Sequence, residues 1–78
     1  MAKFKYKGFE VELWRDEGSP YLFLWEATNK KTGIKLGDLE GGELGTVANA
    51  KRTIKKWILA YKLKKTNLYP KDILLKKH

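Results

Sequence analysis

From Val47 to Lys65 the chain holds neither glycine nor proline. Within that stretch Val47, Ala50, Ile54, Trp57, Ile58 and Tyr61 recur at helical spacing and make one apolar stripe. Such a stripe has to be covered, and the residues before it read as strands. Thr46 suits the N-cap, where its hydroxyl can accept from a free amide of the first turn. Asn67 is placed to end the helix in a left-handed cap.

Ahead of the helix the apolar period is two. Phe9, Val11 and Leu13 alternate with Glu10, Glu12 and Trp14. Phe4 and Tyr6 have the opposite parity, so Lys7-Gly8 resets the face. Gly8 either bulges one long strand or splits it with a tight turn. Asp16 to Pro20 is turn chemistry. Tyr21 to Thr28 is rich in apolar groups on both faces, as a central strand is. Asn29-Lys-Lys-Thr-Gly33 reads as a hairpin loop with glycine placed for a left-handed conformation. Ile34 to Leu39 is a short third strand. Glu40 to Gly45 reads as a loop; its free amides could hold a phosphate, but Glu43 opposes an anion and no Lys-Ser/Thr pair follows.

The expected fold is α+β. A three-stranded antiparallel sheet, its first strand bulged or split at Gly8, carries one C-terminal amphipathic helix on one face. Residues 1–67 form this single β-β-β-α domain, and 68–78 are a short tail. The run Ile73-Leu74-Leu75, closed by Lys76, Lys77 and His78, either packs back over the helix or serves in self-association.

Composition narrows the function. The chain has no cysteine, which excludes a disulfide framework and suits a reducing compartment. Its one histidine, His78, leaves no ordinary zinc site. Met1 to Glu10 alternates lysine with aromatics, unlike a signal peptide. The longest apolar runs, Tyr21–Trp25 and Trp57–Tyr61, fall far short of the ~20 residues of a membrane span. Ser19 is the only serine and has no base beside it in sequence, so no nucleophile can be assembled. The expectation is a soluble, cytoplasmic, non-enzymatic protein with no cofactor, metal, membrane or small-molecule partner. Absence of glutamine and dominance of Lys and Glu lean toward a thermophilic source.

The net charge of +8 is unevenly distributed. Residues 1–45 carry seven basic and eight acidic side chains, whereas residues 46–78 carry ten basic residues and one acid, Asp72. Opposite the apolar stripe lie Lys51, Arg52, Lys55, Lys56 and Lys62, within roughly 140° of the helix circumference. The helix is expected to run from about Val47 to Lys65, and Lys64 and Lys65 carry the charge to its end. Like charges four residues apart destabilise an isolated helix by a few tenths of a kcal/mol per pair, and no acid sits among them. A phosphate backbone would supply the missing charge and release counterions. The expected function is therefore nucleic-acid binding, DNA before RNA, through phosphate contacts from these seven residues, assisted by Lys30, Lys31 and Lys35. A solubilising lysine surface is the bland account of the same residues.

Leu59 and Leu63 fall within the basic sector. Either Ile73, Leu74 and Leu75 cover them, or all five form a self-association surface, which gives the alternative of a homodimer or protein-interaction module. Trp14, Tyr21, Phe23 and Trp25 crowd the first two strands. Either the aromatics or Leu22 and Leu24 must occupy the sheet face away from the helix. Exposed aromatics there could stack bases, whereas Glu10, Glu12 and Glu26 on that face would oppose it.

Three stretches resemble known families. The strand order, the Asn29–Gly33 hairpin, Leu36-Gly37 and the helix with Ala48 and Ala50 resemble the three-stranded-sheet-plus-helix DNA-binding domain of tyrosine recombinases and ethylene-response factors. The likeness spans Arg15 to Ala60 and implies a sheet that enters the major groove. The cations that could match are Arg15, Lys30, Lys31 and Lys35, and the half that carries them is nearly neutral. Phe9-Glu-Val, Gly18 to Phe23 and Gly45 to Ile54 are similar to a short bacterial repeat domain of unknown function. Lys3-Phe-Lys-Tyr-Lys-Gly8 resembles the opening of the small chromatin proteins of crenarchaea.

Overall fold

Two consecutive left-handed residues decide what happens at Gly8. Lys7 (φ 51°) and Gly8 (φ 86°) make a two-residue turn that sets Tyr6 opposite Phe9. Paired positive φ values match the right-handed twist of the flanking strands. The turn joins β1 (Ala2–Tyr6) to β2 (Phe9–Asp16), so the first strand is split, not bulged. This computed structural model describes residues 2–76; the Lys77 and His78 expected to close the tail lie outside the described residues.

Glu17 and Gly18 link β2 to β3 (Ser19–Thr28), with the Gly18 amide donating to Asp16 Oδ1 at 2.9 Å. The loop after β3 is organised by Asn29. Its Oδ1 accepts from the amides of Lys31 and Thr32, its carbonyl accepts from Gly33, and Gly33 is left-handed as expected (φ 74°). β4 (Lys35–Glu43) is longer than the sequence suggested. Residues 40–43, expected as loop, continue the strand beyond a bulge, since Trp25 faces Asp38 while Phe23 faces Gly42.

The sheet therefore has five antiparallel strands in the order β1-β2-β3-β4-β5, where three were expected. Splitting the first strand adds one. The tail adds the other: after a 3-10 turn at Lys71–Ile73, β5 (Leu74–Lys76) pairs with β4, Leu74 opposite Leu36.

α1 spans Val47–Lys62, and Thr46 caps it by accepting from the Asn49 amide at 3.1 Å. The helix ends three residues before the expected Lys65. Lys64, not Asn67, takes the left-handed position (φ 58°). The Lys64 and Lys65 amides donate back to the Tyr61 and Ala60 carbonyls, closing a Schellman turn.

Period-two alternation places Phe9, Val11, Leu13, Phe23, Trp25, Ala27 and Leu36 on the helix side of the sheet, all buried. Ala50, Ile54 and Ile58 of α1 meet them. The Trp25 and Trp57 rings lie 6.0 Å apart across this interface. Ile73 enters the same core at 2% exposure. Gly37 permits a close approach of β3 to β4, because a Cβ there would collide with the Trp25 carbonyl. Among the described residues no helix is long and apolar enough to cross a membrane.

Candidate nucleic-acid interface

Burial in the core fixes which side chains face outward on each layer. On the sheet face away from α1, β1 presents Lys3 and Lys5, β2 presents Glu10, Glu12 and Trp14, and β3 presents Leu22, Leu24 and Glu26. The leucines, not Phe23 and Trp25, occupy that face, and the acids lie where the alternation put them. Tyr21 shares the parity of the core residues but sits near the start of β3 and is 72% exposed. A run of stacking aromatics is therefore missing from this surface among the described residues.

Three carboxylates of the open face are each matched by a lysine, while Lys5 makes no ion pair among the described residues. Lys3 Nζ lies 3.9 Å from Glu12, Lys30 Nζ 3.0 Å from Glu10, and Lys35 Nζ 2.8 Å from Glu26. Glu12 and Glu26 stand directly opposite each other, a repulsive arrangement that Lys3 and Lys35 offset from either side. Two of the three assisting lysines, Lys30 and Lys35, are thus engaged with carboxylates. Lys31 is exposed in the loop and makes no ion pair among the described residues.

On the helix side the pattern reverses. Arg52, Lys55, Lys56, Lys62, Lys64 and Lys65 are exposed and Lys51 is half-buried. None of the seven makes an ion pair among the described residues. Two of them lean across the β1 edge instead. Lys51 Nζ lies 5.9 Å from the Phe4 ring centre, and Lys55 Nζ lies 5.5 Å from Phe4 and 5.8 Å from Tyr6. Their methylene stems can shield the half-buried rings while the ammonium groups remain in solvent. Further along the edge, Lys62 Nζ donates to the Lys7 carbonyl at 3.1 Å, and Lys7 Nζ lies 5.9 Å from Tyr6. α1 and β1 together form a basic strip from Lys51 to Lys7. Sequence reasoning did not include Lys7, Phe4 and Tyr6 in the surface. The signal was present in the parity of β1, which turns both aromatics toward the helix once the turn at Gly8 is known.

Leu59 and Leu63 remain uncovered, Leu63 at 56% exposure, because β5 is held at the β4 edge. The expected covering of these leucines by the tail is corrected accordingly. They line a shallow apolar groove with Ala60 and Leu68, flanked by Lys56 and Lys65. Ile73 belongs to the core and is removed from the expected self-association surface; Leu74 and Leu75 lie partly exposed on β5.

Among the described residues no group of histidine, cysteine or carboxylate side chains could hold a metal ion. No family model, curated protein or solved structure matches this chain.

Proposed function

We propose that the protein binds nucleic acid, duplex DNA foremost, through phosphate contacts from the α1 side. One observation carries this reading: Glu10, Glu12 and Glu26 of the sheet face are each paired with a lysine, leaving Lys5 as that face's one lysine without an ion pair among the described residues, whereas the helix side gathers seven cations with no carboxylate partner among the described residues. A surface built for solubility alone would mix the two signs on both faces. The contacts are Lys51, Arg52, Lys55, Lys56, Lys62, Lys64 and Lys65, with Lys31 assisting from the neighbouring loop. The pairing of Lys30 and Lys35 favours docking by the helix over docking by the sheet, so the groove-entering mode of the recombinase-like domain is set aside. Phosphate contacts carry no base information, and the binding is tolerant of sequence.

The test is a salt titration of affinity for duplex DNA. With about five phosphates neutralised, log K falls against log salt with a slope of about −4 to −5. A slope near zero rules the proposal out.

The groove at Leu59, Leu63 and Leu68 supports a second reading, a homodimer or protein-interaction module. Lys56 and Lys65 on its rim oppose a second copy of the same surface at low salt. Sedimentation of the protein alone separates the readings: a dimer that ignores DNA favours the second.

A further inference from the structure

At one end of the molecule three distant stretches of chain converge on a depression. It is lined by Lys5 of β1, Lys7 and Gly8 of the β1–β2 turn, Asn29, Lys30, Lys31 and Thr32 of the β3–β4 loop, and Lys62 at the end of α1. Five lysines and one carboxylate, Glu10, meet there. Glu10 is engaged with Lys30. Lys5, Lys7, Lys31 and Lys62 are left without an ion pair among the described residues.

Two features show that this convergence is maintained at a cost. Lys7 occupies a left-handed position (φ 51°) that glycine, asparagine or aspartate would fill with less strain. Lys62 donates to the Lys7 carbonyl and so brings a further cation to the turn, when separation would relieve their repulsion. The opposite wall is also organised, since Asn29 Oδ1 holds the amides of Lys31 and Thr32. An anion seated among these groups removes the repulsion.

We propose that this depression binds a phosphomonoester, and that on a nucleic acid it takes the terminal phosphate of a strand. Four ammonium groups without a carboxylate partner among the described residues, on side chains that line one open depression, suit a group carrying close to two charges better than a singly charged backbone diester. The inference rests on the nucleic-acid reading for its ligand but not for its chemistry. Strands would run from the α1–β1 strip toward the depression and end there.

The test compares one single-stranded oligonucleotide with a 5′-phosphate and with a 5′-hydroxyl, alongside inorganic phosphate titrated against the amide spectrum. The phosphorylated strand binds at least about fivefold tighter, and inorganic phosphate shifts the Lys7, Gly8, Lys31 and Thr32 amides more than those of Arg52 and Lys56. Lys7→Asn is the decisive variant because it improves the turn. It raises the thermal midpoint and yet abolishes the preference for the phosphorylated end. Equal affinity for the two strands, or retention of the preference in Lys7→Asn, overturns the proposal. Duplex binding with no response at the depression overturns it and leaves the proposed function standing. Phosphate shifts at the depression without any duplex binding support it and overturn the proposed function instead.

Discussion

The Trp25 and Trp57 rings meet 6.0 Å apart at an interplanar angle of 30°, tying the middle of β3 to the middle of α1. Trp25 is wholly buried, and its Nε1–H finds no acceptor among the described residues. A buried donor left unpaired costs about 1–3 kcal/mol. Trp25→Phe deletes that donor along with some apolar volume, and the two changes oppose each other. Its urea midpoint stays close to the parent's. Trp57→Ala has no such offset and loses about 2–4 kcal/mol. Similar losses in the two variants would show that Nε1 is satisfied.

Charge reversal separates the two faces of the molecule. Lys51→Glu, Lys55→Glu and Lys56→Glu combined reduce DNA affinity by more than a hundredfold at low salt and flatten the salt dependence. Removing Lys3 and Lys35, which face the open side, changes affinity less than about threefold. The loss also unpairs Glu12 and Glu26, so the second variant is the less stable of the two while the better binder. Filter binding on both variants decides the matter, and equal losses count against the helix as the docking surface.

Lys64 occupies the left-handed position that ends α1. Glycine there relieves a strain of about 1 kcal/mol, which in a domain of this size raises the thermal midpoint by roughly 4–8 °C. Lys64→Gly is expected to be more stable and slightly weaker on DNA, read by calorimetry and by titration. Lysine at a glycine position is then explained by its charge.

Gly37 faces the opposite constraint. A methyl group there meets the Trp25 carbonyl on one strand and Leu75 on another. Gly37→Ala costs at least about 2 kcal/mol, because backbone cannot move aside as a side-chain tip can. Chemical denaturation measures it; a neutral substitution would mean that β3 and β4 are less closely apposed than described.

What could be read from the sequence followed from how much chain each signal occupied. α1 announced itself through six apolar positions and a threonine cap, and the alternation in β2 and β3 placed Glu10, Glu12 and Glu26 on the open face. Short or ambiguous signals failed. Gly41 and Gly42 looked like loop, yet they continue β4 past a bulge, where backbone pairing overrides low strand propensity. β5 spans only Leu74–Lys76 and is held by its neighbour, not by its own pattern. Asn67 was the better left-handed residue by type, but the Schellman turn formed where Tyr61 and Ala60 offered free carbonyls, at Lys64. The candidate interface was legible in its α1 half alone, because the β1 half depends on a turn whose presence alternation could not decide.

The mutual pairing of Lys3 with Glu12, Lys30 with Glu10 and Lys35 with Glu26 has a kinetic consequence. With most of the charge on one face cancelled, the centre of positive charge sits off the centre of mass. The field of a distant polyanion exerts a torque as well as a pull, so the molecule rotates before it touches. Under the proposed function, fewer encounters are wasted on the wrong orientation, and the rate of association with nucleic acid is expected to depend steeply on ionic strength.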